Sequence, residues 1–248
     1  MIARLLVVAA AVGLGYLLWW PVPVAPVAWN APEHPGYRGD FMPNTALAGV
    51  ERLDIAATHG PEALALGPDG LLYTSSHKGW IVRYDPVADN SERWVNTGGR
   101  PLGLAFDGEG TLLVADAYLG LLGIAPGGEL TVLSDRLNGA PIRYADDVDV
   151  APDGLFWVGL VSPRSAALDR LADKPFLRKV VQRLPAALRP AAAHYGHVFQ
   201  IDADGTVLVS LQDPAGTYHT NTGALEHDGW LYISSLHETS LARLRREP

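Results

Sequence analysis

No cysteine occurs in the 248 residues. Disulfides, thiolate metal ligands and a cysteine nucleophile are therefore excluded, while an oxidising compartment stays open, because a core of this size needs no covalent staples. Basic residues are the scarcer charge: 19 Lys and Arg stand against 27 Asp and Glu, a net charge of −8 that argues against a general nucleic-acid binder. Several catalytic signatures are missing too. The absence of a Gly-x-Ser-x-Gly elbow argues against a conventional serine esterase. Neither His-Glu-x-x-His nor Gly-x-x-x-x-Gly-Lys-Ser/Thr occurs, which removes zincin and P-loop chemistry.

What is present begins with an apolar segment. From Leu5 to Trp20 no charged residue interrupts the chain, and Ile2 and Ala3 extend the run past Arg4. Such a segment interacts with a membrane. We read residues 1–20 as an anchor rather than a cleaved signal peptide, because Trp19 and Trp20 sit where an aromatic belt lies and the stretch Pro21-Val-Pro-Val-Ala-Pro26 offers no small-x-small cleavage site. Arg4 on the short side then stays cytoplasmic, which predicts a single-pass protein with its C-terminal domain extracytoplasmic, periplasmic or lumenal. Residues 21–50 are proline-rich and without sustained periodicity, the composition of a linker.

Residues 51–248 carry a repeat. Its copies start at Gly60-Pro-Glu, Arg100-Pro-Leu, Tyr144-Ala-Asp and Gly223-Ala-Leu, and in each an alternating strand meets a turn ending at Gly70, Gly110, Gly154 or Gly229 before a second apolar strand. Asp-Gly and Glu-Gly supply the positive φ a tight reversal needs. The glycines are spaced by 40, 44 and 75 residues. The first two intervals suit one four-stranded blade, and the last suits a blade plus an insertion. A β-sandwich shares the turn chemistry but does not predict that period, so the expected fold is an all-β propeller. Further strands are expected at Trp80–Tyr84, Gly120–Ala125, His197–Ile201, Val207–Leu211 and Ser240–Leu244.

The insertion at 162–194 differs in kind. It has few strand formers, Pro175 and Pro185 break it, and Phe176, Leu177, Val180, Val181 and Leu184 follow helical spacing. It holds Arg164, Arg170, Lys174, Arg178, Lys179, Arg183 and Arg189, against only Asp169 and Asp173. A basic amphipathic helix can lie on an anionic membrane surface, cover a cleft, or pack on the propeller with its charges solvated.

The segments Gly99-Arg-Pro-Leu-Gly-Leu-Ala-Phe-Asp107, Leu113-Val-Ala-Asp-Ala-Tyr-Leu-Gly-Leu-Leu122, Arg143-Tyr-Ala-Asp-Asp-Val-Asp149, Leu155-Phe-Trp-Val-Gly159 and Glu226-His-Asp-Gly-Trp-Leu-Tyr-Ile233 resemble the strictosidine synthase-like family. That family is related to the gluconolactonase propellers and includes membrane-anchored arylesterase-like members. The resemblance implies a six-bladed ring, of which this chain shows about four repeats. The pattern passes from the Ala-Asp-Asp-Val-Asp segment of a middle blade to the Leu-Phe-Trp-Val strand of a later one. A ring left open would expose strand edges and favour oligomers.

The resemblance also implies a calcium ion held by oxygen ligands from several blades. Glu62 matches the first-blade acid, and Asp146 stands where many relatives carry Asn. Asp147 would face away from Asp146 and Asp149 in an extended segment, so the three do not share one site. Glu226 matches in position the catalytic glutamate of plant strictosidine synthases. Of the histidines His59, His77, His219 and His237 near strand ends, His77 and His237 follow Ser-Ser strand ends and are the first candidates for a general base, since imidazole titrates near working pH.

The expected activity is calcium-assisted hydrolysis of lactones or small or aryl esters, with Glu226, His77 and His237 in catalysis and Glu62 and Asp146 on the metal. The alternatives are a non-catalytic anchored scaffold or ligand-binding propeller, and an amine–aldehyde condensation. The expected partners are the small-molecule substrate and the membrane, the latter through residues 2–20 and the basic insertion.

Overall fold

A computed structural model describes residues 1–56, 59–137, 140–141 and 155–246. The chain divides into two compact units: residues 1–36 with 163–193, and residues 37–162 with 194–248.

The second unit is the propeller. Strand β1 (Glu51–Leu53) precedes a first sheet of β2 (Leu64–Leu66), β3 (Leu72–Ser75), β4 (Trp80–Asp85) and β5 (Asn90–Asn96). A second sheet contains β6 (Pro101–Phe106), β7 (Leu112–Asp116), β8 (Gly120–Ile124) and β9 (Leu130–Ser134). A short ribbon of β10 (Arg136–Leu137) and β11 (Ala140–Pro141) follows. The third sheet joins β12 (Phe156–Gly159), β13 (Gly196–Ile201) and β14 (Val207–Asp213). The fourth runs β15 (Asn221–His227), β16 (Trp230–Ser235), β17 (Leu241–Arg245) and then β1, so a strand from the start of the unit completes its last blade.

Each hairpin follows from its turn residues. At Asp107-Gly-Glu-Gly110 the Asp107 Oδ1 accepts from the amides of Glu109 (2.9 Å) and Thr111 (2.8 Å), and Gly110 turns at φ +83°. The same chemistry recurs at Asp202-Ala-Asp-Gly205, where Asp202 Oδ1 holds the amides of Asp204 and Thr206. Gly154 and its turn lie outside the described residues.

The packing distinguishes a propeller from a sandwich. In the first sheet Leu72 and Val82 face a cluster with Leu53, Tyr232 and Leu241 from the fourth sheet. Their neighbours Tyr73 and Ile81 face the other way, into a cluster with Leu104, Leu112 and Val114 from the second. Strand alternation thus buries both faces of one sheet. A third cluster, with Val198, Leu211, Leu231 and Ile233, joins the third and fourth sheets. The sheets therefore stack side by side in the order third, fourth, first, second, as blades do, whereas a sandwich has a single core between two sheets.

At the third junction the backbones almost touch. A Cβ placed on Gly159 would lie 2.4 Å from the carbonyl carbon of Thr222 and 2.5 Å from the amide nitrogen of Gly223, both backbone atoms of β15. Gly159→Ala should force β12 off β15 and cost about 1–3 kcal/mol, read as an earlier urea midpoint at unchanged slope.

The first unit contains helix α1 (Ile2–Trp19), helix α2 (Ala166–Asp169) and helix α3 (Pro175–Arg183). Helix α1 is long and apolar enough to cross a membrane, and none of its residues is buried. Pro175 does not break the insertion but opens α3 at its first turn, where its missing N–H has no helical partner to lose. The stretch 21–50 is not a free linker. Its first half packs on the insertion, with the Trp29 amide 3.2 Å from the Ala172 carbonyl and Arg164 donating to the Pro32 carbonyl at 2.9 Å. Its second half belongs to the propeller: Leu47 is 1% exposed, and Asn44 bridges to β14 through the Ser210 carbonyl and the Gln212 amide. Leu47 and Val50 supply the apolar contact. They are spaced too irregularly to show as a periodic element.

Candidate functional site

The turns at Gly70, Gly110 and Gly229 lie at one end of their blades, and at the opposite end the second strands finish on polar residues: Ser75 on β3, Asp116 on β7 and Ser235 on β16. These side chains tie down the neighbouring loops. Ser235 Oγ donates to the His219 carbonyl (2.7 Å) and accepts from the amides of His237 and Glu238 (both 3.2 Å). Asp116, wholly buried, accepts from Thr97 Oγ1 and from the amides of Tyr118 and Leu119. The Ala-Asp-Ala-Tyr motif is therefore a loop clamp.

On this frame stand three histidines. The His77 amide donates to the His59 carbonyl at 3.1 Å. The His59 ring lies 4.7 Å from that of His77, edge to face, and 6.2 Å from that of His237, stacked. Gly60 permits the approach: it sits at φ +63°, and a Cβ there would meet the His77 ring at 2.6 Å and the Leu236 carbonyl at 2.8 Å.

Arg100 completes the group. Its Nη2 lies 3.3 Å from His77 Nε2 and 3.6 Å from Glu62 Oε2. Since guanidinium only donates, His77 Nε2 accepts, which fixes the neutral tautomer with the proton on Nδ1. Burial, followed by Arg100, His59 and His237, lowers the His77 pKa to about 4, so its ring is neutral at pH 7. Glu62 is held from the other side, its carbonyl accepting from Thr222 Oγ1 at 2.6 Å. Arg100 Nε is buried and has no hydrogen-bond partner among the described residues.

A second polar group adjoins the first through the Gly60 amide, which donates to the Glu238 carbonyl at 2.8 Å. The Glu238 carboxylate pairs with Arg52 at 2.8 Å and stands 3.7 Å from His219 Nε2, and the His219 ring stacks on that of His194 at 3.9 Å. Burial, with a smaller effect from His194, holds the His219 pKa below its usual value, while Glu238 opposes the shift. The Glu238 carboxyl is lowered against its burial, chiefly by the hydrogen bond from Arg52.

The sequence-predicted residues are thus divided. His77, His237 and Glu62 meet at this end. Glu226 is carried near the opposite end of β15, one residue before the β15–β16 turn, half exposed and 3.9 Å from Arg246. Four residues of strand, roughly 13 Å, separate it from Thr222 beside Glu62. Asp146 lies outside the described residues. For a divalent cation the donor set is poor: among the described residues no three of His, Asp and Glu are grouped to hold a metal. Glu62 and Glu238 each face a guanidinium, and Asp116 is taken up by Thr97 and two backbone amides.

Sequence reasoning missed Arg100, and it named His59 among the strand-end histidines without making it a first candidate. A signal for Arg100 was present, because Gly60-Pro and Arg100-Pro occupy the same position in adjacent repeats 40 residues apart, which places the arginine one blade from Glu62.

A family model described as "Strictosidine synthase-like, N-terminal" matches residues 39–84. A strictosidine synthase-like protein of Arabidopsis thaliana, number 6 of its series, is 39% identical over 211 residues, covering 77% of this chain and 54% of the relative. The adipocyte plasma membrane-associated protein of Bos taurus is 24% identical over 359 aligned positions, covering 94% of this chain and 87% of the relative. The chain spans only 30% to 54% of the length of the plant relatives it matches. Because 359 positions are aligned with fewer than 248 residues, well over a hundred positions of the bovine protein face gaps within this chain. That is the size of two or three of the blade intervals seen here. Among solved structures, a putative gluconolactonase aligns with a TM-score of 0.46 at 14% identity, covering 81% of this chain and 93% of that one.

Proposed function

Because this chain belongs to the strictosidine synthase-like family, we propose that it is a membrane-anchored hydrolase of lactones or small esters, with Arg100, Glu62, His77, His59 and His237 as its centre. The observation that carries the reading is Arg100 held between Glu62 and a neutral His77. Helix α1 is the anchor, and the propeller lies outside the cytoplasm; the name of the bovine relative, a plasma membrane-associated protein, agrees with a membrane setting.

In this mechanism the substrate carbonyl oxygen lies against the Arg100 guanidinium, and His237, whose ring is exposed, takes a proton from water as the water oxygen bonds to the carbonyl carbon. Negative charge develops on the carbonyl oxygen, where the guanidinium stabilises it. The ester C–O bond then breaks, and the departing alkoxide recovers the proton from His237. Glu62 keeps Arg100 in place. His77 fixes the guanidinium orientation from the other side and stays uncharged, so it does not repel Arg100. In this mechanism Arg100 supplies the positive charge that calcium would otherwise supply, since Glu62 and Glu238 each face a guanidinium. Glu226 takes no part, being remote from them.

The test is turnover of a panel of aryl esters and lactones by the full chain in detergent, with and without a chelator. Turnover that persists in chelator is expected. Loss on chelation with recovery on adding calcium would assign the charge to a metal on Glu62 and Asp146 instead. No turnover, with saturable lactone binding by calorimetry, would make the protein a binding propeller, a reading favoured by the missing hundred-odd positions.

A further inference from the structure

The first unit carries features that the hydrolytic site does not use. Helix α3 is tied to the end of α1: Arg183, 7% exposed, donates from Nε to the Trp20 carbonyl (2.6 Å) and from Nη1 to the Leu17 carbonyl (2.8 Å). The last carbonyls of a helix have no intrahelical donor, and a cation there also meets the negative end of the helix dipole. The contact therefore satisfies the terminus of α1 and fixes α3 beside the level at which the apolar helix ends.

The two flanks of α3 differ. On one, Arg178, Val181 and Gln182 line a cavity of about 630 Å³ shared with the stretch Val24–Trp29, so that flank is turned to its own chain. On the other, Phe176 (55%) and Leu177 (42%) are exposed. A turn further along the same face, Val180 and Leu184 continue the stripe at i+4 spacing. Arg170, at the end of α2, is exposed, as is Lys174, which pairs with Asp173 (2.6 Å), while Asp169 pairs with Arg164 (3.1 Å); the insertion keeps an excess of basic over acidic residues. Exposed apolar residues on a basic segment, held at the end of a membrane-length helix, have one complementary surface. Acyl chains accept Phe176 and Leu177, and anionic headgroups accept the basic residues.

We propose that α3 is an in-plane membrane helix whose Phe176–Leu177 face is buried in an anionic lipid surface, with Arg183 coupling it to the end of the α1 span. The lipid neutralises the basic excess of the insertion, and the insertion sets the depth at which the chain leaves the membrane.

The absence of cysteine allows a direct test. Phe176→Cys in the full chain, labelled with an environment-sensitive dye, is reconstituted into phosphatidylcholine vesicles with or without about 30% phosphatidylserine, some carrying a nitroxide-labelled lipid. Leu177→Cys is the second reporter should the first variant fold poorly, and Val87→Cys, at a propeller turn 91% exposed, marks the signal of a dye in water. We expect a blue shift and strong nitroxide quenching at position 176 in anionic vesicles, weaker in neutral ones. Raising the salt or introducing Arg170→Gln with Lys179→Gln should reduce the quenched fraction, with an affinity loss of roughly fivefold per charge removed. Quenching at 176 no greater than at 87, or equal quenching in neutral and anionic vesicles, overturns the proposal. Neither result depends on whether the propeller hydrolyses esters.

Discussion

Arg100→Gln is expected to lower kcat/KM for ester or lactone hydrolysis by roughly 10²- to 10³-fold and, in the same variant, to raise the pKa of His77. The two effects have one origin. The guanidinium is the cation placed where a carbonyl oxygen would acquire charge, and its Nη2 is also 3.3 Å from His77 Nε2, where it opposes protonation of the ring. Burial is the larger cause of the lowered His77 value, and it remains in the variant together with His59 and His237. The titration should therefore move up from about 4 without reaching the ordinary 6.5. Removing the cation also leaves the Glu62 side chain, only 15% exposed, without the charge that now stands 3.6 Å away, a loss known to cost more than the pair contributes. Arg100→Lys restores charge without the two-pronged donor and should recover part of the rate. NMR titration of the His77 ring checks the electrostatic half, and steady-state kinetics check the catalytic half. A raised His77 pKa with undiminished turnover would leave Arg100 a structural charge and remove it from the reaction.

The parts of this architecture that could be read from the sequence are those written within a few residues. Asp-Gly and Glu-Gly turns with alternating flanks are local, and the hairpins at Gly70, Gly110 and Gly229 all turn at positive φ as the pattern requires. The inner strands could be located because both their faces are apolar. The outer strand of the first sheet could not: β5 reads Asn-Ser-Glu-Arg-Trp-Val-Asn and is largely exposed, so hydrophobic periodicity has nothing to register. The pairing of Glu51–Leu53 with Leu241–Arg243 was also hidden, since a three-residue strand with two exposed side chains gains its meaning only from a partner about 190 residues away.

The site shows the same division. His77 was marked by its place after a strand end, and Glu62 by its match to the family's first-blade acid. Arg100 needed the repeat to be used as a ruler, aligning Gly60 with Arg100 and so one blade with the next. Glu226 was chosen by likeness of position alone. Register places it one residue from a hairpin turn, and no local pattern distinguishes that end of a strand from the other.

The third sheet of the propeller carries a second group whose titration should be visible in stability, on the face of β13 opposite Val198. His197 is 1% exposed and lies among Tyr37, Phe41, Tyr195 and Phe199, with ring centroids 5.8 to 6.3 Å away. Its Nε2 meets Ser210 Oγ at 3.1 Å, while Nδ1 is buried without a hydrogen-bond partner. A second ring proton would have no acceptor in this apolar setting, and burial lowers the pKa to about 4. The unfolded chain takes that proton near 6.5 and the folded chain does not, so stability is complete above pH 6.5 and falls as the pH drops toward 4. The slope for one such group is about 1.4 kcal/mol per pH unit, or about 2 kcal/mol between pH 6.5 and pH 5. His77 is lowered in the same direction and adds to the loss, so His197→Phe removes only the His197 part of it. Carboxylates with lowered values, Asp213 and Glu238, contribute their losses only at lower pH, as the unfolded state begins to protonate below about 4.5. The interval from pH 6.5 to 5 therefore isolates the histidines. Urea denaturation of the full chain in detergent at several pH values should show this loss, and His197→Phe, which keeps an aromatic ring but has no titrating nitrogen, should lessen it. A slope unchanged in His197→Phe would mean that the ring at this position already takes its proton in the folded protein.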